Sequence, residues 1–205
     1  MTRLKAGYEM GRKFAQRHAL SGVSALDIGA GHCAHTTGFA DFFDRVDALD
    51  QTAERYEPKT LLELSPSAKK IRFLEMDAHD IDRLGQYDLV YSLSAMEHMY
   101  DWRQIMKKIP FITKKWFYLV ISPLYYSPLG HHIDPQVDDW DHILLPEDEL
   151  KTKFFKNGGV DWMWNTYKEL NKVTAAELIE EAKKRFDITY LKASITTIEM
   201  LCQKK

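Results

Sequence analysis

The sequence predicts an α/β fold whose core is a doubly wound, mostly parallel sheet of seven strands. Three observations carry this prediction. Short apolar strands alternate with helical segments through residues 23–122. Residues 23–50 run strand, glycine turn, helix, strand and acid. Two further strands follow one another directly near the C-terminus, which predicts a closing antiparallel strand.

The first of these units predicts a nucleotide site. Its opening strand, residues 23–28, leads straight into Gly29-Ala30-Gly31, and its second strand, residues 46–49, ends at Asp50. The glycines let the backbone pass close beneath a ligand, and the carboxylate of Asp50 can accept hydrogen bonds from two ribose hydroxyls.

The other elements follow from periodicity and from end signals. Thr174, with Glu177 three residues later, forms a predicted capping box. Pro110 is expected to stop the helix before it. The predicted helices are 2–21, 33–43, 53–64, 102–109, 146–156 and 174–186, and the later strands are 71–76, 87–93, 116–122, 188–193 and 196–202. We expect one domain, residues 1–205, in which residues 123–170 form a lid and acceptor insertion.

Composition limits the classes of partner. The net charge of −2 lacks the basic field that nucleic-acid binding requires. Two cysteines far apart indicate a reducing compartment. The charged N-terminus does not look like a signal peptide, and no apolar run is long enough to cross a bilayer. We therefore expect a cytoplasmic protein with neither a nucleic-acid nor a membrane partner.

The residue before the glycine turn distinguishes two classes of nucleotide. Gly29-x-Gly31-x-x-Ala34 permits a dinucleotide. However, the carboxylate of Asp27 would repel a pyrophosphate, whereas it suits a ligand with an amino group and a sulfonium. The segment LDIGAG, residues 26–31, resembles motif I of the class I S-adenosylmethionine-dependent methyltransferases, with Cys33 at the position of a common third glycine.

This resemblance spans about residues 20–122 by motif. Within the class, the sequence resembles the methyltransferases that act on small molecules, and it is similar to the methyltransferase-domain 11/12 group. It implies a Rossmann-like fold, S-adenosylmethionine as cofactor and S-adenosylhomocysteine as product. It also implies a row of cofactor-binding residues along the strand ends: Asp27, Gly29, Ala30, Gly31, Asp50, Gln51, Asp77, Ala78 and Ser92.

Two members of that row have competing interpretations. Asp77 would accept a hydrogen bond from the adenine amino group, or it would cap the following turn. Asp47 competes with Asp50 for the ribose, but it lies in the middle of a strand and we expect it to face solvent.

The catalytic candidates are histidines. Residues 92–95 read Ser-Leu-Ser-Ala rather than the Asn/Asp-Pro-Pro-aromatic signature of enzymes that methylate nucleic-acid amines. Glu97-His98 is similar to a pair in small-molecule methyltransferases, including the quinone-biosynthesis O-methyltransferases. His98 could then be the base, or simply a backbone-bonded residue at a helix start. His131 and His132 are the other candidates. Their His/Asp-rich loop, residues 131–142, could supply a base, bind a metal ion or simply be solvated, and we assign no metal ligand.

The predicted function is methyl transfer to a small molecule, at oxygen, with a saccharide or natural-product intermediate as acceptor. Five aromatic residues could wall the acceptor pocket: Tyr125, Tyr126, Trp140, Trp162 and Trp164. Two alternatives stay open. One is a non-catalytic module that keeps the fold and acts through a protein partner; the other is an NAD-dependent oxidoreductase, which Asp27 disfavours.

Overall fold

The computed structural model describes residues 2–53 and 55–205. In this part of the chain, one seven-stranded sheet has the order β3-β2-β1-β4-β5-β7-β6. Its strands are β1 (Gly22–Ile28), β2 (Phe43–Asp50), β3 (Ile71–Glu75), β4 (Tyr87–Leu93), β5 (Thr113–Ile121), β6 (Phe186–Ala193) and β7 (Ile198–Lys204). Strand β7 runs antiparallel to both of its neighbours, β5 and β6, and the other pairings are parallel. The predicted fold class is confirmed.

Helices flank this sheet. They are α1 (Thr2–Arg17), α2 (Ala34–Ala40), α3 (Pro58–Leu64), α4 (Trp102–Ile112), α5 (Asp141–Leu144), α6 (Glu147–Lys156), α7 (Asp161–Lys168) and α8 (Ala175–Lys183). Alternate residues of a strand enter different cores: Leu89 and Tyr91 belong to one apolar cluster and Val90 to the other. All of β4 is buried, as expected for a parallel strand covered on both faces. Among the described residues, no helix combines the length and apolar character needed to span a membrane.

The strand order reverses between β1 and β4. Strand β1 pairs with β2 on one side and β4 on the other, with Asp27 opposite Ala48 and Tyr91. Ligands of open α/β sheets bind beyond the carboxyl ends of the strands at such a reversal. The glycine turn and the segment after β4 therefore share the edge where a ligand is expected.

Several helix boundaries differ from the prediction: α1, α2 and α8 end three or four residues early, and α3 and α4 differ as follows. Helix α4 continues through Pro110 to Ile112, because proline accepts helical φ and removes only one donor. Ile112 is buried, and its burial stabilises the helical residues that follow Pro110. Helix α3 begins at Pro58 rather than near 53, and residue 54 of the predicted helix lies outside the described residues.

The segment after β5 has its own apolar cluster, which we call the satellite core: Tyr125, Ile133, Val137, Leu150, Phe154, Trp164, Tyr167 and Leu170. Helices α5 and α7 in this segment were not predicted. The many aromatic residues of α7 obscured its helical pattern in the sequence. Trp164 and Tyr167, three residues apart, are both buried on one face of this helix. The organisation into one domain with an insertion at 123–170 stays a prediction.

Candidate cofactor and acceptor site

The glycine turn is fixed by hydrogen bonds to Leu49 and by packing against Ala95, and it has open space beside Gly31. Gly29 has φ of +81°, and its amide and that of Ala30 both donate to the carbonyl of Leu49, at 2.9 and 3.0 Å. A Cβ on Gly29 would overlap the Cβ of Ala95, in the segment after β4. Gly31, with φ of +51°, has open space where its Cβ would lie, as far as the described residues extend. The turn thus leaves room for a ligand beside Gly31.

Asp50 faces this turn. Its Oδ2 accepts a hydrogen bond from the Gly31 amide at 2.8 Å. The carboxylate is half-buried at the end of β2, so its other oxygen can serve a ligand. Gln51 is exposed, and its Nε2 lies 3.4 Å from Asp77 Oδ2.

Asp47 lies elsewhere, and the expectation that it faces solvent was wrong. It is fully buried, because β2 lies between β1 and β3. Arg72 donates to both of its oxygens, from Nε at 2.9 Å and Nη2 at 2.7 Å. The hydroxyl of Tyr87 donates to Oδ2 at 2.7 Å. Asp47 is therefore committed to an internal ion pair and is no competitor of Asp50.

Asp77 caps the turn that follows β3. Its Oδ1 accepts from the His79 amide at 2.8 Å and lies 2.7 Å from His79 Nδ1. These bonds, the backbone one foremost, lower the pKa of the carboxyl. Its side chain is about half exposed and Ala78 is buried. The capping interpretation thus describes the contacts present, and an adenine contact stays a prediction.

Asp27 is nearly completely buried beneath the glycine turn. Thr36 Oγ1 donates to its Oδ2 at 2.6 Å. Burial, the largest influence, raises the pKa of this carboxyl to about 7. The Tyr91 hydroxyl is near enough to influence that pKa, but it makes no hydrogen bond of normal geometry to any described residue. Asp27 can therefore change protonation state when a cationic ligand arrives.

The raised pKa of Asp27 predicts a pH-dependent stability. Because the folded-state pKa lies above the unfolded value of about 3.9, its stabilising contribution is full below that value and is lost as the pH rises through 7. Relative to Asp27→Asn, which keeps an acceptor for Thr36, the wild type should lose on the order of 2 kcal/mol of unfolding free energy between pH 5 and 8. Urea unfolding of both proteins at the two pH values measures this. A difference that does not change with pH would contradict a raised pKa.

Ser92 is fully buried within β4, and its hydroxyl has no hydrogen-bond partner among the described residues. Ser94 has φ of +48°, and its hydroxyl donates to the Ser122 carbonyl at 3.2 Å. The ends of β4 and β5 are thereby linked next to the turn that carries Glu97.

Glu97 and His98 lie in a single 3-10 turn, Met96–His98. Glu97 is 3% exposed, and neither carboxylate oxygen has a hydrogen-bond partner in residues 2–53 and 55–205. Burial raises the pKa of this carboxyl to about 8. Such a group is costly unless it is neutral or paired with a cation.

Asn171, in the link between α7 and α8, makes hydrogen bonds to the backbone of this turn and of Met99. Its Nδ2 donates to the carbonyls of Met96, at 2.7 Å, and Met99, at 3.0 Å. Its own amide donates to the Glu97 carbonyl at 2.9 Å. We did not predict this residue, because no local pattern connects positions so far apart in the chain.

The adjacent histidines His131 and His132 point to different places. His131 is fully buried, its Nδ1 accepts from the Ile133 amide at 3.1 Å, and its ring lies 5.2 Å from that of His142. His132 has φ of +58° and its ring lies 5.1 Å from that of His98. Burial, the largest influence, lowers the pKa of both His98 and His131 to about 4. The structure therefore brings together His98 and His132, but not His131.

A three-residue group results, which we call the EHH cluster: Glu97, His98 and His132. One ligand-type atom from each lies within 4.8 Å of the other two. Two of the acidic residues of the 131–142 loop are engaged elsewhere: Asp138 and Asp141 each pair with Lys153 at 2.6 Å.

The five aromatic residues predicted to wall an acceptor pocket differ in burial. Tyr125 and Trp164 are buried in the satellite core. Tyr126 and Trp162 are exposed, and Trp140 is of intermediate burial. Their role as a pocket wall stays a prediction.

Comparisons with known proteins agree with this fold. The family model described as a methyltransferase domain matches residues 26–120. No match was found among curated proteins. A similar solved structure is magnesium protoporphyrin IX methyltransferase from Synechocystis PCC 6803 with bound S-adenosylhomocysteine, at TM-score 0.62 and 13% identity, covering 98% of this chain and 83% of that chain.

Two further structures are similar. A putative S-adenosylmethionine-dependent methyltransferase from Listeria monocytogenes has TM-score 0.62 and 16% identity, covering 96% of this chain and 99% of that one. A 1,6-didemethyltoxoflavin-N1-methyltransferase from Burkholderia thailandensis, with bound 1,6-didemethyltoxoflavin and S-adenosylhomocysteine, has TM-score 0.60 and 14% identity, covering 98% of this chain and 79% of that chain. At these identities the similarity establishes the fold.

Proposed function

We propose that this chain, whose residues 26–120 match the family model of a methyltransferase domain, is a class I S-adenosylmethionine-dependent methyltransferase that methylates an oxygen of a small-molecule acceptor. The observation that carries the proposal is the position of the EHH cluster. Ala95 and Met99, which flank Glu97 and His98, are the residues that a Cβ on Gly29 would meet. Groups able to act on a hydroxyl thus adjoin the cofactor turn.

The residues at the strand ends fit the cofactor. When bound, S-adenosylmethionine supplies a methyl group already activated by its sulfonium. We assign the ribose hydroxyls to Asp50 and the cationic amino group to Asp27. Gly29, Ala30 and Gly31 let the backbone approach, and the open space at Gly31 supports this assignment. What the chain must add is alignment of the acceptor and removal of its proton.

His98 is the group that we assign to the acceptor hydroxyl. Its lowered pKa keeps the imidazole neutral near pH 7, so a nitrogen lone pair is available. His131 is buried away from this edge, which makes it the weakest of the three histidine candidates. A small acceptor agrees with two similar structures, which are methyltransferases of a porphyrin and of a toxoflavin precursor.

The insertion and the cellular setting complete the proposal. Residues 123–170 would form the lid over the acceptor, within one domain, and a saccharide or natural-product intermediate suits its polar and aromatic surface. Cys33 and Cys202 are both buried and free, which supports a reducing, cytoplasmic location. The net charge of −2 supports a partner other than nucleic acid.

Methyl transfer from labelled S-adenosylmethionine to panels of hydroxyl and amine acceptors tests this function. We expect transfer to hydroxyl acceptors, and we expect His98→Gln to lower kcat by about 100-fold or more while S-adenosylhomocysteine binding is retained. His131→Gln is the matched comparison and should retain more activity. Transfer to amines only would contradict the oxygen assignment, and an unchanged rate in His98→Gln would contradict the role of His98 as the base.

A further inference from the structure

The EHH cluster is assembled from two separate segments of the chain. Glu97 and His98 come from the 3-10 turn after β4, and His132 comes from the segment after β5. The strands β4 and β5 are neighbours, and their carboxyl ends bring these segments to the same sheet edge. One carboxylate and two imidazoles within 4.8 Å of one another form a metal-ligand set drawn from distant residues.

Glu97 gives the first independent reason to place a cation here. Its side chain is almost completely buried, and both oxygens lack hydrogen-bond partners among the described residues. Buried carboxylates are normally hydrogen-bonded, paired or bound to a metal ion. Asn171 fixes the backbone of the turn and leaves the Glu97 side chain free to coordinate.

His132 gives the second reason, because one of its nitrogens is already oriented. Its Nε2 lies 3.1 Å from the Pro123 carbonyl, so Nε2 carries the proton and donates to that oxygen. The lone pair is then on Nδ1. A histidine that donates its other N–H to a carbonyl is the usual arrangement of a metal ligand. His98 makes a ring contact with His132 and completes the group.

We propose that Glu97, His98 and His132 bind a divalent transition-metal ion of the zinc type. Two imidazoles and one carboxylate favour such an ion over Mg²⁺ or Ca²⁺, which prefer oxygen ligands. Bonds of about 2.0–2.1 Å in tetrahedral geometry bring ligand atoms to ~3.3 Å apart, so the side chains need only small rotations to close on the ion. Three protein ligands leave a position open, as in catalytic zinc sites.

The turn that carries Glu97 and His98 lies against the cofactor turn, since Ala95 and Met99 are the residues that a Cβ on Gly29 would meet. An acceptor hydroxyl bound at the open position would lose its proton to water more readily, because the metal lowers its pKa. This role rests on the proposed methyl transfer to oxygen. His98 would then be a ligand in the metal-bound enzyme, and it would act as the proton acceptor only in the metal-free enzyme. Metal binding itself does not depend on that function.

Titration of the chelator-treated full chain with Zn²⁺, and separately with Co²⁺, tests the site. We expect one equivalent to bind, with visible Co²⁺ absorption indicating nitrogen and oxygen ligands at low coordination number. Glu97→Gln and His132→Gln should each weaken Zn²⁺ binding at least tenfold. His32→Gln removes an exposed imidazole outside the cluster and should leave the affinity unchanged. Thermal unfolding of each metal-free variant checks that it is folded.

Binding that is equally strong in Glu97→Gln and His132→Gln would overturn the site, as would the absence of stoichiometric binding to the wild type. Titration of S-adenosylhomocysteine into the same metal-free protein separates this proposal from the proposed function. Cofactor binding without metal binding would overturn the metal site alone. Metal binding without cofactor binding would support the site and contradict the function.

Discussion

Replacing Asp50 by alanine is expected to weaken S-adenosylhomocysteine binding by about tenfold to a hundredfold, the range expected for losing a hydrogen bond to a charged group. Two contributions act together. The variant loses the carboxylate that we assign to the ribose hydroxyls. It also loses the acceptor for the Gly31 amide at 2.8 Å, which orients the turn on which the ligand rests. Calorimetric titration of wild type and variant gives the ratio of dissociation constants.

Two further variants make this result specific. Asp50→Asn keeps an oxygen acceptor but removes the charge, so its affinity should fall between those of the wild type and Asp50→Ala. Asp44→Ala makes the same charge change on the exposed, opposite part of β2 and should bind like the wild type. Equal losses in Asp44→Ala and Asp50→Ala would show a general charge effect and would contradict the assignment of Asp50.

Gly29→Ala is expected to destabilise the fold by about 3 kcal/mol, the combined cost of a left-handed backbone conformation and of overpacking. Its φ is +81°, and the added Cβ would overlap that of Ala95 and lie 3.0 Å from Met99 Cε. For a chain of this size the midpoint of thermal unfolding should fall by roughly 6–12 °C. Differential scanning calorimetry without ligand measures this loss.

Gly31→Ala is the matched comparison, because it also has positive φ but has open space around its Cβ. It should cost only about 1 kcal/mol of stability. It should nevertheless weaken S-adenosylhomocysteine binding, since the new methyl group occupies the space that we assign to the ligand. If both variants lose equal stability, backbone strain rather than the Ala95 contact determines the effect at Gly29.

The central sheet was predictable because its signals are local. The predicted bounds of β4 match the structure at both ends, since a run of buried apolar residues is readable without knowledge of its neighbours. The capping box of Thr174 and Glu177 is present as predicted, because both of its bonds form within one helical turn. The nearness of Asp50 to the glycine turn followed from the order strand, turn, helix, strand.

The features that escaped prediction depend on contacts between distant segments. Asp47 looked like a solvent-facing acid because the sequence does not show that Arg72 and Tyr87 come to it across the sheet. His131 and His132 have the same local composition, and only the fold places the first ring against His142 and the second against His98. The EHH cluster was not predicted for the same reason, because its residues come from two segments that are far apart in the sequence.

Asn171 joins two parts of the molecule that the chain order separates. Its three hydrogen bonds hold the backbone of the Met96–His98 turn and of Met99 to the link that follows the insertion. If the lid proposed for residues 123–170 closes by a movement of α7, the link must either break these bonds or carry the turn of Glu97 and His98 with it. Closure over an acceptor and the alignment of the reactive groups would then be coupled, and a substitution that changes how the acceptor fits would also change the geometry of the reaction.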